Sequence, residues 1–173
     1  MLMTQDQDDH SPAPALVSGR WAGREAFVDH VRRALARAPV EGWSMLVLSD
    51  PDFADWPLGE RQVVEALNDW ARSGRQLRLL ARSFKSLRER SPRLVQWRVT
   101  WDHLVQAKAA AGAAADALPS AIWTPSWTLE RLDLVRCTGV ATTDPRRRTE
   151  LRERIEACWQ QSSPAFPATT LGL

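Results

Sequence analysis

"LVLSDPDFADWPLGERQVVEALNDWARSGRQLRLLA" (residues 46–81) decides the fold. Its opening apolar run, extended upstream to "WSMLVLS" (43–49), has the length and flanks of a buried strand. Residues 59–74 then place Val63, Val64, Leu67, Trp70 and Ala71 on one helical face, with Gly74 as a C-terminal stop. "QLRLLA" (76–81) is a second strand. A strand, a helix and another strand in this order predict an α/β layer with a parallel centre.

Between strand and helix lie Asp50, Asp52 and Asp55. Three carboxylates could hold a hard cation through oxygen. A calcium loop would also need a longer ligand ladder, a glycine at the turn and a distal bidentate Glu. Asp50-Pro51 and Trp56-Pro57 instead read as turn initiators, with Phe53 and Trp56 pinning the loop to the body. The loop is expected to connect, and no metal is expected.

Working outward, "GREAFVDHVRRALARAP" (23–39) is a helix through Phe27, Val31, Leu35 and Ala38, stopped by Pro39. In residues 91–110, Leu94, Trp97, Trp101 and Leu104 fit a helix, while Val95, Trp97, Val99 and Trp101 fit strand alternation. Ser91-Pro92 is a helix-start signal, so a helix to about Asp102 and a strand through "HLVQAKA" (103–109) are expected. "SAIWTP" (120–125) and "LERLDLVRC" (129–137) read as adjacent strands. Asp144 caps a closing helix over 144–162 with Leu151, Ile155 and Trp159 on its apolar face.

The order predicts a single-domain α/β(-α) sandwich with a mixed, mostly parallel sheet over residues 21–163. An acidic, Pro-containing, disordered lead-in (1–20) is expected before it and an extended tail (164–173) after it. The chain of 173 residues, 44% hydrophobic and 25% charged, suits one core of ordinary composition. Its N-terminus lacks the basic region and apolar core of a signal peptide, and no run is long enough to span a bilayer. A cytoplasmic protein with no membrane partner is expected.

Cys137 and Cys158, beside scattered His10, His30 and His103, make a weak ligand set, and the cysteines read as small buried hydrophobes. No GxSxG elbow or phosphate-cradling glycine loop is present, and no cofactor is expected. Nine tryptophans read mainly as core, with Trp56 and Trp127 the two expected to be partly exposed because they fall in loops.

Charge is uneven. From Arg72 to Arg98 nine basic residues face one acid, Glu89, a balance of +8 in 27 residues. Such a stripe can meet a polyanion, and Arg78, Arg82, Lys85, Arg88 and Arg93 are the candidate anion or nucleic-acid contacts. Equally, these arginines can occupy several solvated faces and pair with acids.

Three segments carry a family resemblance: "QVVEALNDWARSGRQLRLLA", "LPSAIWTPSWTLERLDLV" and "TELRERIEACWQQSSP". Together they resemble one half of the phospholipase D-like fold, over roughly residues 24–163, and single-half bacterial domains of it. That family's His-x-Lys-x4-Asp signature, in which a histidine attacks phosphorus, is missing from "SAIWTPSWTLERLD". His103 is followed by Leu104 and Val105, with Lys108 five residues on, and does not supply it. The resemblance therefore implies a fold without phosphodiesterase chemistry, and no catalytic residue is assigned. It also implies pairing of two copies across the site face.

Three readings of function follow. The first is a non-catalytic module that binds a protein partner or forms a homodimer. The second is nucleic-acid binding through the Arg72–Arg98 stripe. The third is a hydrolase with a pocket around His103 or Asp133 beside a basic residue.

Overall fold

The structure is a computed structural model, and it describes residues 12–169. A short strand β1 (Gly19–Ala22) leads into α1 (Arg24–Glu41) and β2 (Met45–Ser49). Next come α2 (Arg61–Ala71), β3 (Gln76–Ala81), α3 (Lys85–Arg90) and α4 (Pro92–Thr100). A 3-10 turn (Asp102–Leu104) enters β4 (Val105–Ala109), followed by α5 (Gly112–Asp116). The chain ends in β5 (Ser120–Trp123), β6 (Thr128–Asp133), β7 (Thr138–Thr142), α6 (Pro145–Gln160) and β8 (Ser163–Pro164).

All eight strands form one sheet in the order β1-β7-β6-β5-β2-β3-β4-β8. Only β2-β3 and β3-β4 are parallel; the other five neighbouring pairs are antiparallel. The sheet is mixed as expected, but its parallel part is confined to three strands. Short connections explain the difference. Two helical crossovers make the parallel pairs, and the closely spaced strands β5, β6 and β7 can pair only as a meander.

Helices cover both faces. Leu46 and Leu48 of β2 join Leu77 and Leu79 of β3 against Phe27, Leu35, Leu67 and Trp97 of α1, α2 and α4. The alternate residues Val47 and Leu80 meet Leu151, Ile155 and Trp159 of α6 on the other face. Alternation along each strand thus gives every face its own core.

Local chemistry explains most of the boundaries. α1 runs two residues past Pro39 and ends at Gly42, whose φ of 64° is the left-handed cap that glycine favours. A proline this close to a helix end removes one N–H without breaking the helix. Ser91 closes α3 through its N–H to the Leu87 carbonyl, and Pro92 then opens α4. The Asp144 side chain accepts the Arg146 N–H at the start of α6, as the sequence suggests. Gly74 has a different reason from the one expected. It stands against Trp70, where an added Cβ would overlap the indole.

The ordered body begins before residue 21. Leu16 and Val17 pack on the core, and Gly19 and Arg20 pair with β7. The first eleven residues of the expected lead-in lie outside the described residues. In the tail, Ser163 and Pro164 pair with β4 and Phe166 is buried. Trp56 and Trp127 are buried rather than partly exposed, at 6% and 1%. Trp127 donates its indole N–H to the Val17 carbonyl, and Thr124 accepts its backbone N–H, so the loop folds inward around it. Among the described residues, no helix is long and apolar enough to cross a membrane.

Candidate nucleic-acid interface

β2, β3, β4 and β6 point the same way, so the loops after them gather at one end of the sheet. In open α/β sheets this is where ligands usually sit. Three segments meet there: the acidic loop, the β3-to-α4 connection and the β6-β7 turn.

The acidic loop is an anchor. Asp50, 1% exposed, accepts the backbone N–H groups of Asp52 and Phe53, at 3.1 and 2.8 Å. Its other oxygen accepts the Ser120 hydroxyl at 2.6 Å and the Arg131 guanidinium at 2.8 Å. Arg131 also donates to Asp55 at 2.9 Å and lies over the Phe27 ring at 4.4 Å. Asp55 in turn meets Arg24. The Asp50 carboxylate is thus occupied by protein donors on both oxygens, as a structural link between β2, β5 and β6.

α3 and the start of α4 carry free charge. Lys85, Arg88, Arg90 and Arg93 are all exposed, and among the described residues none lies within ion-pair distance of an acid. Glu89 is the single acid interleaved with them. Arg88 lies over the Phe166 ring at 5.4 Å, and Lys85 and Arg88 line one shallow cleft beside it. Arg93 reaches the Gly59 carbonyl on the other side of α3.

The remaining members of the expected stripe go elsewhere. Arg78 points to the opposite face, where it pairs with Glu156 at 3.0 Å and stacks on Trp159 at 4.9 Å. Arg82 stands 3.7 Å from Asp116. The five candidates therefore do not form one continuous surface. Period-2 alternation sends Arg78 to the α6 side, while the residues after Ala81 leave the sheet at its end. Arg90 joins the patch from outside the five candidates, although it lies in the same basic run.

Other sequence candidates disperse. His103 is exposed in the 3-10 turn before β4, whereas Asp133 ends β6 and caps the following turn through the Val135 and Arg136 N–H groups. They lie at opposite ends of the sheet and do not form the pocket expected of a hydrolase. Cys137 and Cys158 are both buried, one in each core, with the sheet between them. Burial raises the Cys158 thiol's pKa, with Arg154 opposing. His30 packs edge-on against Trp21 with its Nδ1 unpartnered. Burial lowers its pKa, opposed by Asp29 and aided by Arg33. His10 lies outside the described residues.

The elements define a three-layered α/β/α sandwich around a mixed sheet, and its exposed basic connection marks a candidate polyanion site rather than a recognised catalytic centre. Among solved structures it is similar to TrmBL2, an archaeal chromatin protein whose structure shows a novel mode of DNA binding. The TM-score is 0.61 at 14% identity, over 92% of this chain and 57% of that one. At that identity the likeness is one of fold, and the chain spans little more than half of its neighbour. No protein-family model matches the chain, and no curated protein sequence does.

These comparisons correct the phospholipase D-like resemblance. TrmBL2 is a chromatin protein, and it is archaeal where bacterial half-domains were expected. The three segments behind that resemblance are a helix feeding a strand, a pair of adjacent strands and an amphipathic closing helix, burial patterns that unrelated α/β units share.

Proposed function

We propose that the chain is a nucleic-acid-binding module whose contacts centre on Lys85, Arg88, Arg90 and Arg93. One observation carries this reading: four exposed cations, three on α3 and one at the start of α4, have no acidic partner among the described residues and stand at the end of the sheet where ligands usually sit. The fold likeness to a DNA-binding chromatin protein supports it. Arg82 is engaged by Asp116 and Arg78 holds α6, so neither belongs to the patch. A cytoplasmic location accompanies this reading.

Titrating labelled duplex DNA with rising salt tests it. Affinity should fall steeply with salt because bound cations displace condensed counterions. Reversing Arg88 and Arg93 to Glu should weaken binding about uniformly across sequences and reduce the salt slope by about one for each phosphate left without its cation. Reversing the ion-paired Arg61 should change little. No binding at low salt, or binding indifferent to Arg88→Glu/Arg93→Glu, would overturn the assignment.

A second reading, self-association, rests on the β6-β7 turn. Leu132 near the end of β6 and Leu134 and Val135 in the turn are 65%, 48% and 96% exposed. Clustered apolar side chains of this kind favour contact with protein. The dimer implied by the phospholipase D resemblance loses that support, and the turn replaces it. Sedimentation should then show a dimer that Val135→Asp dissociates. A monomer at every concentration would exclude it.

A further inference from the structure

β8 covers the edge of β4 only at Lys108 and Ala109, with one further bond from the Ala165 N–H to the Ala107 carbonyl. Beyond that strap, the edge opens into a cleft of about 640 Å³ between the ends of α4 and α6. Its apolar walls include Val105, Trp159, Pro164 and Pro167, and its polar groups are Arg98, Gln106 and Lys108. Among the described residues no acidic side chain lines it.

Arg98 is 6% exposed, an unusual position for a guanidinium. Among the described residues its side chain bonds only to Asp102, at 2.5 Å, an acid whose own side chain is 63% exposed, and its buried Nε has no partner. The Lys108 ammonium donates to the Trp159 carbonyl at 3.2 Å and lies 4.7 Å from the Trp159 ring centre. Among the described residues no carboxylate pairs with it. The cleft therefore has two cations in its lining, one of them paired to a solvated acid, and an apolar volume of ligand size.

A buried guanidinium with unmet donors is stabilised most by an anion that brings oxygen acceptors. An apolar, indole-walled volume favours a flat hydrophobic body beside that anion. We propose that this cleft binds a small molecule carrying one anionic group, a carboxylate or phosphate monoester, on a flat apolar body. The anion is held from the α4 side by Arg98 and from the α6 side by Lys108, and the body lies along Trp159 and the prolines. The site is separate from the Lys85–Arg93 patch, and the inference does not depend on nucleic-acid binding.

Calorimetric titration of the full chain with 1-naphthoate, 1-naphthyl phosphate and neutral 1-naphthalenemethanol tests it. At least one anion should bind about tenfold or more tightly than the alcohol, and the tighter of the two identifies the head group. Lys108→Gln, at a partly exposed position, should lower that affinity about tenfold in a protein that still unfolds in one cooperative transition. Arg98→Met keeps the packed stem and should lower it similarly. Equal binding of the alcohol, anion binding untouched by both substitutions, or no heat from either anion at millimolar concentration would each overturn the proposal.

Discussion

Arg131→Ala is expected to destabilise the protein by about 3–5 kcal/mol, read as a lowered urea midpoint at unchanged slope. The cause is the partner left behind. Asp50 is 1% exposed and would lose its counter-ion, while Arg131 itself is 3% exposed and bridges two acids. Three remaining donors, the N–H groups of Asp52 and Phe53 and the Ser120 hydroxyl, soften the loss but do not neutralise the carboxylate. The double change Asp50→Asn with Arg131→Met should therefore cost clearly less than Arg131→Ala alone. Fully buried ion pairs contribute little net stability against apolar replacements, yet half of a pair is costly. An Arg131→Ala protein within about 1 kcal/mol of the parent would refute this account of the loop.

Trp70→Ala is expected to cost about 3–5 kcal/mol as well, by a different route. The indole is fully buried in the core under α2 and donates its N–H to the Trp43 carbonyl at 2.6 Å. Truncation removes the ring, leaves a cavity and strands that carbonyl. The neighbouring backbone has no side chain to fill the space, because Gly74 is the residue packed against the ring. Gly74→Ala in the Trp70→Ala background should be tolerated, whereas alone it should clash. Thermal denaturation of the four proteins in this cycle checks both statements.

Most of the core of this fold is legible in the chain; its edges are not, nor is β7, which begins where the strand expected over 129–137 ends. Residues 46–81 carry two buried strands and an amphipathic helix whose buried positions are those with helical spacing. The Ser91-Pro92 signal likewise places α4 and the strand after it. Such segments bury a face, so composition records them. β1 and β8 have four and two residues and exist because a neighbour offers an edge. Neither GRWA nor SP carries an apolar run, whereas β5, no longer than β1, is wholly buried and reads as a strand. α3 is equally local: its sequence KSLRER reads as charge, with Leu87 its one buried residue.

The basic patch is only half legible for a related reason. Sequence distance groups Arg78 with Arg88, but a strand places alternate residues on opposite faces. Arg78 therefore belongs to α6, and Arg88 belongs to the end of the sheet. The buried role of Asp50 is hidden too, because its partners Ser120 and Arg131 lie far along the chain. Reading the loop as a connector anticipates its place without its ion pair.

The pairing of β1 with β7 joins strands from nearly opposite ends of the chain. A growing polypeptide can assemble α1, β2, α2, β3, α4 and β4 from neighbouring contacts as they emerge. β1 must wait without its partner until β7 has been synthesised, and the β2 edge stays open until β5 arrives. Contacts of such sequence separation close late, because the intervening chain must first surrender its freedom. Until β5 is made, β2 presents an unpaired strand edge, the kind of surface that pairs with other chains.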